Sequence, residues 1–200
     1  MKLYYTKGAC SLAIRIAINE LNFSAEYEAV DLKTKKTAHG ADYYQINPKG
    51  SVPALKLDNG EVLTENAAIQ QYLADLNHAT TLLPAVNDLK RYRVLEWLSF
   101  INSDFHKSCG ILFNAAIPQS VKDEVFIPAV KAKLDYLDKH FKNNTYLLDH
   151  YTLPDGYLFV ILSWLSHFNI DLSQWTHVFR YFNALKKRPS IENSLKEEGF

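Results

Sequence analysis

The hydrophobic rhythm of the chain changes once, near residue 78. Before that point short apolar or alternating runs trade places with turn residues; beyond it each segment repeats at helical spacing. Lys2–Tyr5 reads as a short strand ended by Gly8–Ala9. Ser11 to Leu21 is nearly all apolar (Leu12, Ala13, Ile14, Ile16, Ala17, Ile18, Leu21), which predicts a buried helix with Arg15 and Asn19–Glu20 on its solvent side. Tyr27 to Asp31 alternates as a strand, and Lys33 to Gly40 reads as a lysine-rich loop. Ala54–Leu57 and Val62–Thr64 flank Asp58–Asn59–Gly60, a hairpin turn containing the Asn-Gly pair. Glu65 to Leu76 places Ala68, Ile69, Tyr72, Leu73 and Leu76 on one helical face. The order β-α-β-loop-β-β-α implies a parallel crossover followed by an antiparallel edge.

Asn77 to Asp88 carries no period and reads as a connection. Five helical segments follow: Leu89–Asn114, Val121–Phe141 with Pro128 kinking it or splitting off its first turn, Pro154–Phe168, Gln174–Lys187 and Ser190–Glu198. Thr152 and Asp155 are spaced as a capping box at the start of the third. The expected architecture is α/β plus all-α: residues 1–78 as one domain, 79–87 as a linker and 88–200 as a helical domain.

Composition narrows the function classes. Of 200 residues, 22 are basic and 22 acidic, and 48% are apolar. The balance is local as well, with 8 basic and 9 acidic groups in residues 1–78. Neither part carries the basic footprint of a nucleic-acid or anionic-membrane binder, so neither partner is expected. No run reaches the roughly 18 apolar residues of a membrane span. Arg15 and Asn19–Glu20 interrupt the first apolar stretch, which argues against a secretory leader. Two cysteines exclude a disulfide framework and a four-thiolate metal site; a reduced, cytoplasmic protein is expected.

Several residues could carry chemistry. Cys10 stands at a strand-to-helix turn, where the helix N-terminus stabilises a thiolate; the ordinary alternative is a small core residue. No second thiol follows at the Cys-x-x-Cys position, so redox chemistry would need an external thiol. Val52–Pro53 precedes the hairpin. A cis bond there would present the Val52 backbone to an extended peptide, and an ordinary loop-ending proline is the alternative. Glu65–Asn66 open a helix whose positive end suits a carboxylate while Glu65 suits an ammonium; an ordinary helix start with a dipole-favoured Glu is the alternative. Lys35 lies in the basic loop. In the long helix Ser99, Ser103, His106 and Gly110 fall at steps of 4, 3 and 4, a small polar stripe suited to a cleft wall or to plain solvent. Cys109 reads as a buried structural thiol, and Ser11 as a helix cap. The seven histidines show no metal-ligand spacing, so no metal is expected.

Taken in order, these signals resemble the cytosolic glutathione transferase superfamily over the whole chain. The segment Asn47–Pro48…Gly50–x–Val52–Pro53–Ala54–Leu55 is the most specific stretch. Cys10, His106 and Lys107 resemble the bacterial beta class. Thr152-x-x-Asp155, Arg188–Pro189 and Glu198–Gly199–Phe200 resemble further family patterns. The resemblance implies a thioredoxin-like N-terminal domain, an all-helical C-terminal domain and a cytoplasmic homodimer. It also implies glutathione as co-substrate, with no tightly bound cofactor.

In that reading Cys10 and His106 are catalytic, and the Val52 backbone pairs with the cysteinyl part of glutathione. Glu65 and Asn66 hold the γ-glutamyl head, Lys35 reaches the glycine carboxylate, and Ser99, Ser103, Asp104, Phe105, His106 and Lys107 line the site. Asn66 stands where serine is usual, and Ser99 where the beta class has asparagine. Pro53, Thr152 and Asp155 are structural. Phe113, Trp164, His167 and Phe168 are assigned to hydrophobic electrophiles from their apolar placement. The implied reaction is conjugation of the glutathione thiol, with thiol-disulfide exchange or peroxide reduction beside it; the alternative is a non-enzymatic interaction module on the same fold.

Overall fold

A computed structural model describes residues 1–200. Its strands are β1 (Lys2–Tyr5), β2 (Glu26–Asp31), β3 (Lys36–Thr37), β4 (Ala54–Lys56) and β5 (Val62–Thr64). They form one sheet in the order β3-β2-β1-β4-β5. β1 and β2 run parallel, joined through α1 (Leu12–Glu20), and the other neighbours are antiparallel. β3 lies inside the expected Lys33–Gly40 loop; a two-residue strand is too short to leave a period. α2 (Asn66–Leu76) follows the hairpin, whose turn passes through Asn59–Gly60 as expected.

The first compact unit comprises Met1–Leu83 together with Arg188–Phe200, and the second spans Pro84–Lys187. This differs from a division that leaves 88–200 in one helical domain. The last helix, α9 (Pro189–Glu197), packs along α1. α1 is therefore covered by α2 and α9 and is buried on every side, including at Arg15. Arg15 is 2% exposed, not solvated as its charge suggests. Its guanidinium lies 3.6 Å over the Tyr27 ring and 4.6 Å over Tyr5. Its Nε and Nη1 donate to Glu198 and Glu197, each at 3.2 Å. Buried charge is tolerable because two carboxylates and two aromatic faces replace its water.

The second unit contains α3 (Leu89–Ser99), α4 (His106–Gly110), α5 (Gln119–Val121), α6 (Ile127–Phe141), α7 (Leu153–Ser163) and α8 (Thr176–Lys186). A π turn, Phe100–Phe105, joins α3 to α4 inside the expected long helix. A second, Lys122–Phe126, runs directly into α6, so the helical run 119–141 is continuous and Pro128 sits within it, just after the widened turn. α7 is buried from Leu153 to Leu162. Its capping box forms: Asp155 Oδ2 accepts the Thr152 N–H at 2.8 Å and its hydroxyl at 3.1 Å. Asp155 Oδ1 accepts Leu147 N–H and the Tyr181 hydroxyl. Burial pushes the Asp155 carboxyl up to about 6, against the pull of those donors. No helix is long and apolar enough to cross a membrane.

Candidate functional site

In the first unit the residues around Cys10 converge from four segments. The turn Thr6–Ser11 is tied at its base by Ser11, whose hydroxyl accepts Thr6 N–H and donates to Thr6 C=O. Ser11 thus stands at the N-cap position of α1 without capping it. At the middle of the turn Gly8 adopts φ +69°, and a Cβ there would meet the Phe200 ring at 3.0 Å. The same residue donates its N–H to Glu198. Cys10 is half-buried at the end of this turn, and its Sγ donates to Val52 C=O at 3.3 Å.

The Val52–Pro53 peptide bond is cis. The loop before it is held by side-chain donors on main-chain acceptors. Tyr43 Oη and Asn47 Nδ2 both donate to Ser51 C=O, at 2.8 and 2.7 Å, and Lys35 Nζ donates to Gly50 C=O at 2.7 Å. Tyr43 is fully buried against Tyr4, and burial pushes its hydroxyl up to about 12, so it serves as a neutral donor. Gly50 has φ +63° and packs on Tyr44, where a Cβ would approach the ring to 2.7 Å.

Glu65 precedes α2 with φ +74° and ψ 124°, a strained backbone for a residue with a Cβ. Its exposed carboxylate meets Lys49 Nζ, which also bonds Thr64 Oγ1 at 2.9 Å. Asn66 is buried and donates from Nδ2 to Cys10 C=O at 3.0 Å, while its Oδ1 has no protein partner. The structure therefore brings Cys10, Val52, Pro53 and Asn66 together, with Lys35 bonded to Gly50 and Glu65 to Lys49 of the same loop. Tyr43 and Lys49 carry no signal of their own as site residues, and Asn47 is visible only as the first residue of the proline motif.

In the second unit, His106 Nδ1 lies 2.6 Å from the Tyr157 hydroxyl, which donates to Asn102 Oδ1 at 3.2 Å. Trp164 meets the His106 ring edge-on at 5.0 Å between centroids. Ser99, Ser103, Asp104 and Lys107 are exposed. Ser103 Oγ is bound to Ser99 C=O, and Asp104 pairs with Lys133. Phe105 differs from expectation: it is fully buried and stacks on Phe100, so it presents no surface to a ligand. Cys109 is fully buried and its thiol is pushed up to about 12, as suits an inert core thiol. Phe113 is half-exposed at the centre of an aromatic group, with ring centroids 5.5 Å from Trp164, 6.0 Å from His167 and 4.6 Å from Phe168. A groove of about 470 Å³ runs along Phe113, His167, Phe168 and Lys122. No group of three metal-ligating side chains occurs.

Comparison with known proteins agrees over the full length. The family model for the glutathione S-transferase N-terminal domain matches residues 1–75, and that for the C-terminal domain matches residues 73–189. The chain is 38% identical to glutathione S-transferase GstA of Escherichia coli O157:H7, over 100% of this chain and 99% of the relative. A sphingomonad glutathione S-transferase solved in complex with glutathione is 41% identical, with a TM-score of 0.95 over the whole of both chains. A bacterial beta-class glutathione S-transferase from Sphingomonas chungbukensis is 40% identical, with a TM-score of 0.96 over 100% of this chain and 99% of that one.

Proposed function

The chain belongs to the glutathione S-transferase superfamily, in its bacterial beta class, and on that premise we propose where it holds glutathione and which groups activate the thiol. The first unit takes the tripeptide as an added strand on Val52, with Glu65 for the α-ammonium, the start of α2 for the α-carboxylate and Lys35 for the glycine end. The single observation that carries this reading is the convergence on Cys10: its thiol donates to Val52 C=O, and Asn66 at the mouth of α2 donates to its carbonyl. A cysteinyl peptide paired with Val52 would bring its own sulfur to the Cys10 turn.

In this proposal Cys10 stabilises the glutathione thiolate and His106 takes its proton. Ser103, Asp104 and Lys107, with Ser99 beyond them, are the exposed polar groups assigned to the ligand from the helical unit. The thiolate attacks a hydrophobic electrophile, for which the exposed aromatic group around Phe113 is the proposed surface. Glutathione is a co-substrate here, not a resident cofactor. A cytoplasmic homodimer completes the reading.

The partly exposed Cys10 also favours a second activity. Its thiolate attacks glutathione disulfide, the S–S bond breaks, one glutathione leaves as thiolate, and Cys10 keeps the other as a mixed disulfide. The deciding experiment is retention on immobilised glutathione together with turnover of a general aromatic halide electrophile. Binding with turnover supports the proposal. Neither binding nor turnover would identify a non-enzymatic interaction module.

A further inference from the structure

We propose that Tyr157 and Asn102 are positioning residues that hold His106 in the Nδ1–H tautomer, which leaves the lone pair on Nε2. The argument is a count of hydrogens. A tyrosine hydroxyl owns one, and Tyr157 gives it to Asn102 Oδ1 at 3.2 Å. The hydroxyl oxygen then faces His106 Nδ1 at 2.6 Å as an acceptor, so the imidazole nitrogen supplies the hydrogen. A neutral ring with its hydrogen on Nδ1 carries its lone pair on Nε2, the nitrogen turned away from Tyr157.

Three features make the arrangement rigid. Tyr157 is fully buried on α7, so its hydroxyl does not wander. Asn102 lies within the π turn and His106 begins α4 immediately after it, and the two side chains reach the same hydroxyl. Trp164 meets the imidazole edge-on at 5.0 Å. A π turn inside an α-helix is a local irregularity that proteins use at functional sites. Here it belongs to the run Phe100–Phe105, which ends where the histidine begins.

The functional consequence rests on the reading of His106 as the group that takes the glutathione proton. With hydrogen already on Nε2, that nitrogen has no lone pair to receive another. Asn102, which touches no reacting atom in this scheme, would therefore decide through Tyr157 whether the histidine works as a base.

The test uses ¹⁵N-labelled full-length protein at a pH where the imidazole is neutral, with the His106 signals identified by their loss in His106→Asn. Long-range ¹⁵N–¹H couplings read the tautomer directly. Wild type is expected to show Nδ1–H. Asn102→Leu removes the acceptor, so the Tyr157 hydrogen turns to His106 Nδ1 and the ring switches to Nε2–H. Asn102→Asp restores an acceptor and with it Nδ1–H. Tyr157→Phe removes the hydroxyl itself and gives a second route to loss of Nδ1–H. Conjugation by Asn102→Leu is expected to fall about tenfold in kcat/KM. A residue serving packing alone would leave the ring hydrogen where it was.

Nε2–H in the wild type, or an unchanged tautomer in Asn102→Leu, would overturn the assignment. A switched tautomer with unchanged conjugation would overturn the positioning role. Failure of the underlying reading looks different: His106→Asn would conjugate like wild type while the wild-type ring still showed Nδ1–H.

Discussion

Glu198 Oε2 accepts the backbone N–H of Gly8 across 2.8 Å, two residues before the thiol, although 190 positions separate the two in sequence. The other oxygen of the same carboxylate accepts Arg15 Nε–H. Both side chains are almost fully enclosed, at 0% and 3% exposure. One buried carboxylate thus orders the turn that carries Cys10 and compensates a cation inside α1.

Glu198→Ala should destabilise the protein by about 3–5 kcal/mol, because it leaves a buried guanidinium with one partly exposed carboxylate, Glu197, in place of two. Glu198→Gln should cost less, since an amide oxygen can still accept Gly8 N–H. Urea unfolding of the two variants measures the difference; equal and negligible losses would show that the pair does not matter to stability.

Thiol reactivity should separate the two cysteines completely. Cys10 is partly exposed, whereas burial pushes Cys109 up to about 12. An alkylating reagent near neutral pH should therefore modify one thiol in the native protein and two after unfolding. Native Cys10→Ser should take up none. The same variant should lose disulfide exchange while retaining part of its conjugation; equal loss of both would show a single shared chemistry.

Glu65→Gln should raise the KM for glutathione about tenfold with little change in kcat, because the ammonium it is proposed to hold lies away from the sulfur. Lys49 already occupies that carboxylate. A deaminated glutathione analogue should bind wild type and Glu65→Gln alike, and a KM that still differed would place the glutamate's role elsewhere.

Acid should loosen the contact between α1 and α9. Burial raises the Glu20 carboxyl, but its bonds to Arg188 and Ser190 outweigh that and hold it below its ordinary value. The folded pKa is depressed, so the contribution is present above the unfolded pKa, near 4.5, and fades as pH falls toward and through the folded value. Glu20→Gln should flatten the stability-versus-pH curve below about pH 4.5, measured by urea midpoints. An unchanged slope would remove Glu20 from the account of acid sensitivity.

The parts of the fold legible in the sequence are those with short-range causes. The hairpin follows from Asn59–Gly60 between two apolar runs, and α2 from the spacing of Ile69 and Leu73, although Leu76, expected on the same face, is exposed. The convergence of Cys10, Val52 and Asn66 was legible only because their order along the chain resembles a family. Arg15 was misplaced because local polarity points outward; its enclosure depends on Glu197 and Glu198, about 180 residues away. The π turn leaves no mark, since one widened turn hardly shifts a helical period. Phe105 sits beside His106 in sequence yet belongs to the core, because adjacent helical positions face different ways. Tyr157 had no signal of its own, because an aromatic residue in an all-apolar helix reads as packing.

The α9 segment has a consequence for how this chain emerges during synthesis. A ribosome delivers Met1–Leu83 first, but the cover for Arg15 and the acceptor for Gly8 arrive only with residues 188–200. Until then the early segment exposes the flank of α1 that α9 later hides, and its Cys10 turn is held by fewer bonds. That earlier segment is therefore completed only when α9 has been made, and a nascent chain stalled before α9 should present an unfinished Cys10 loop.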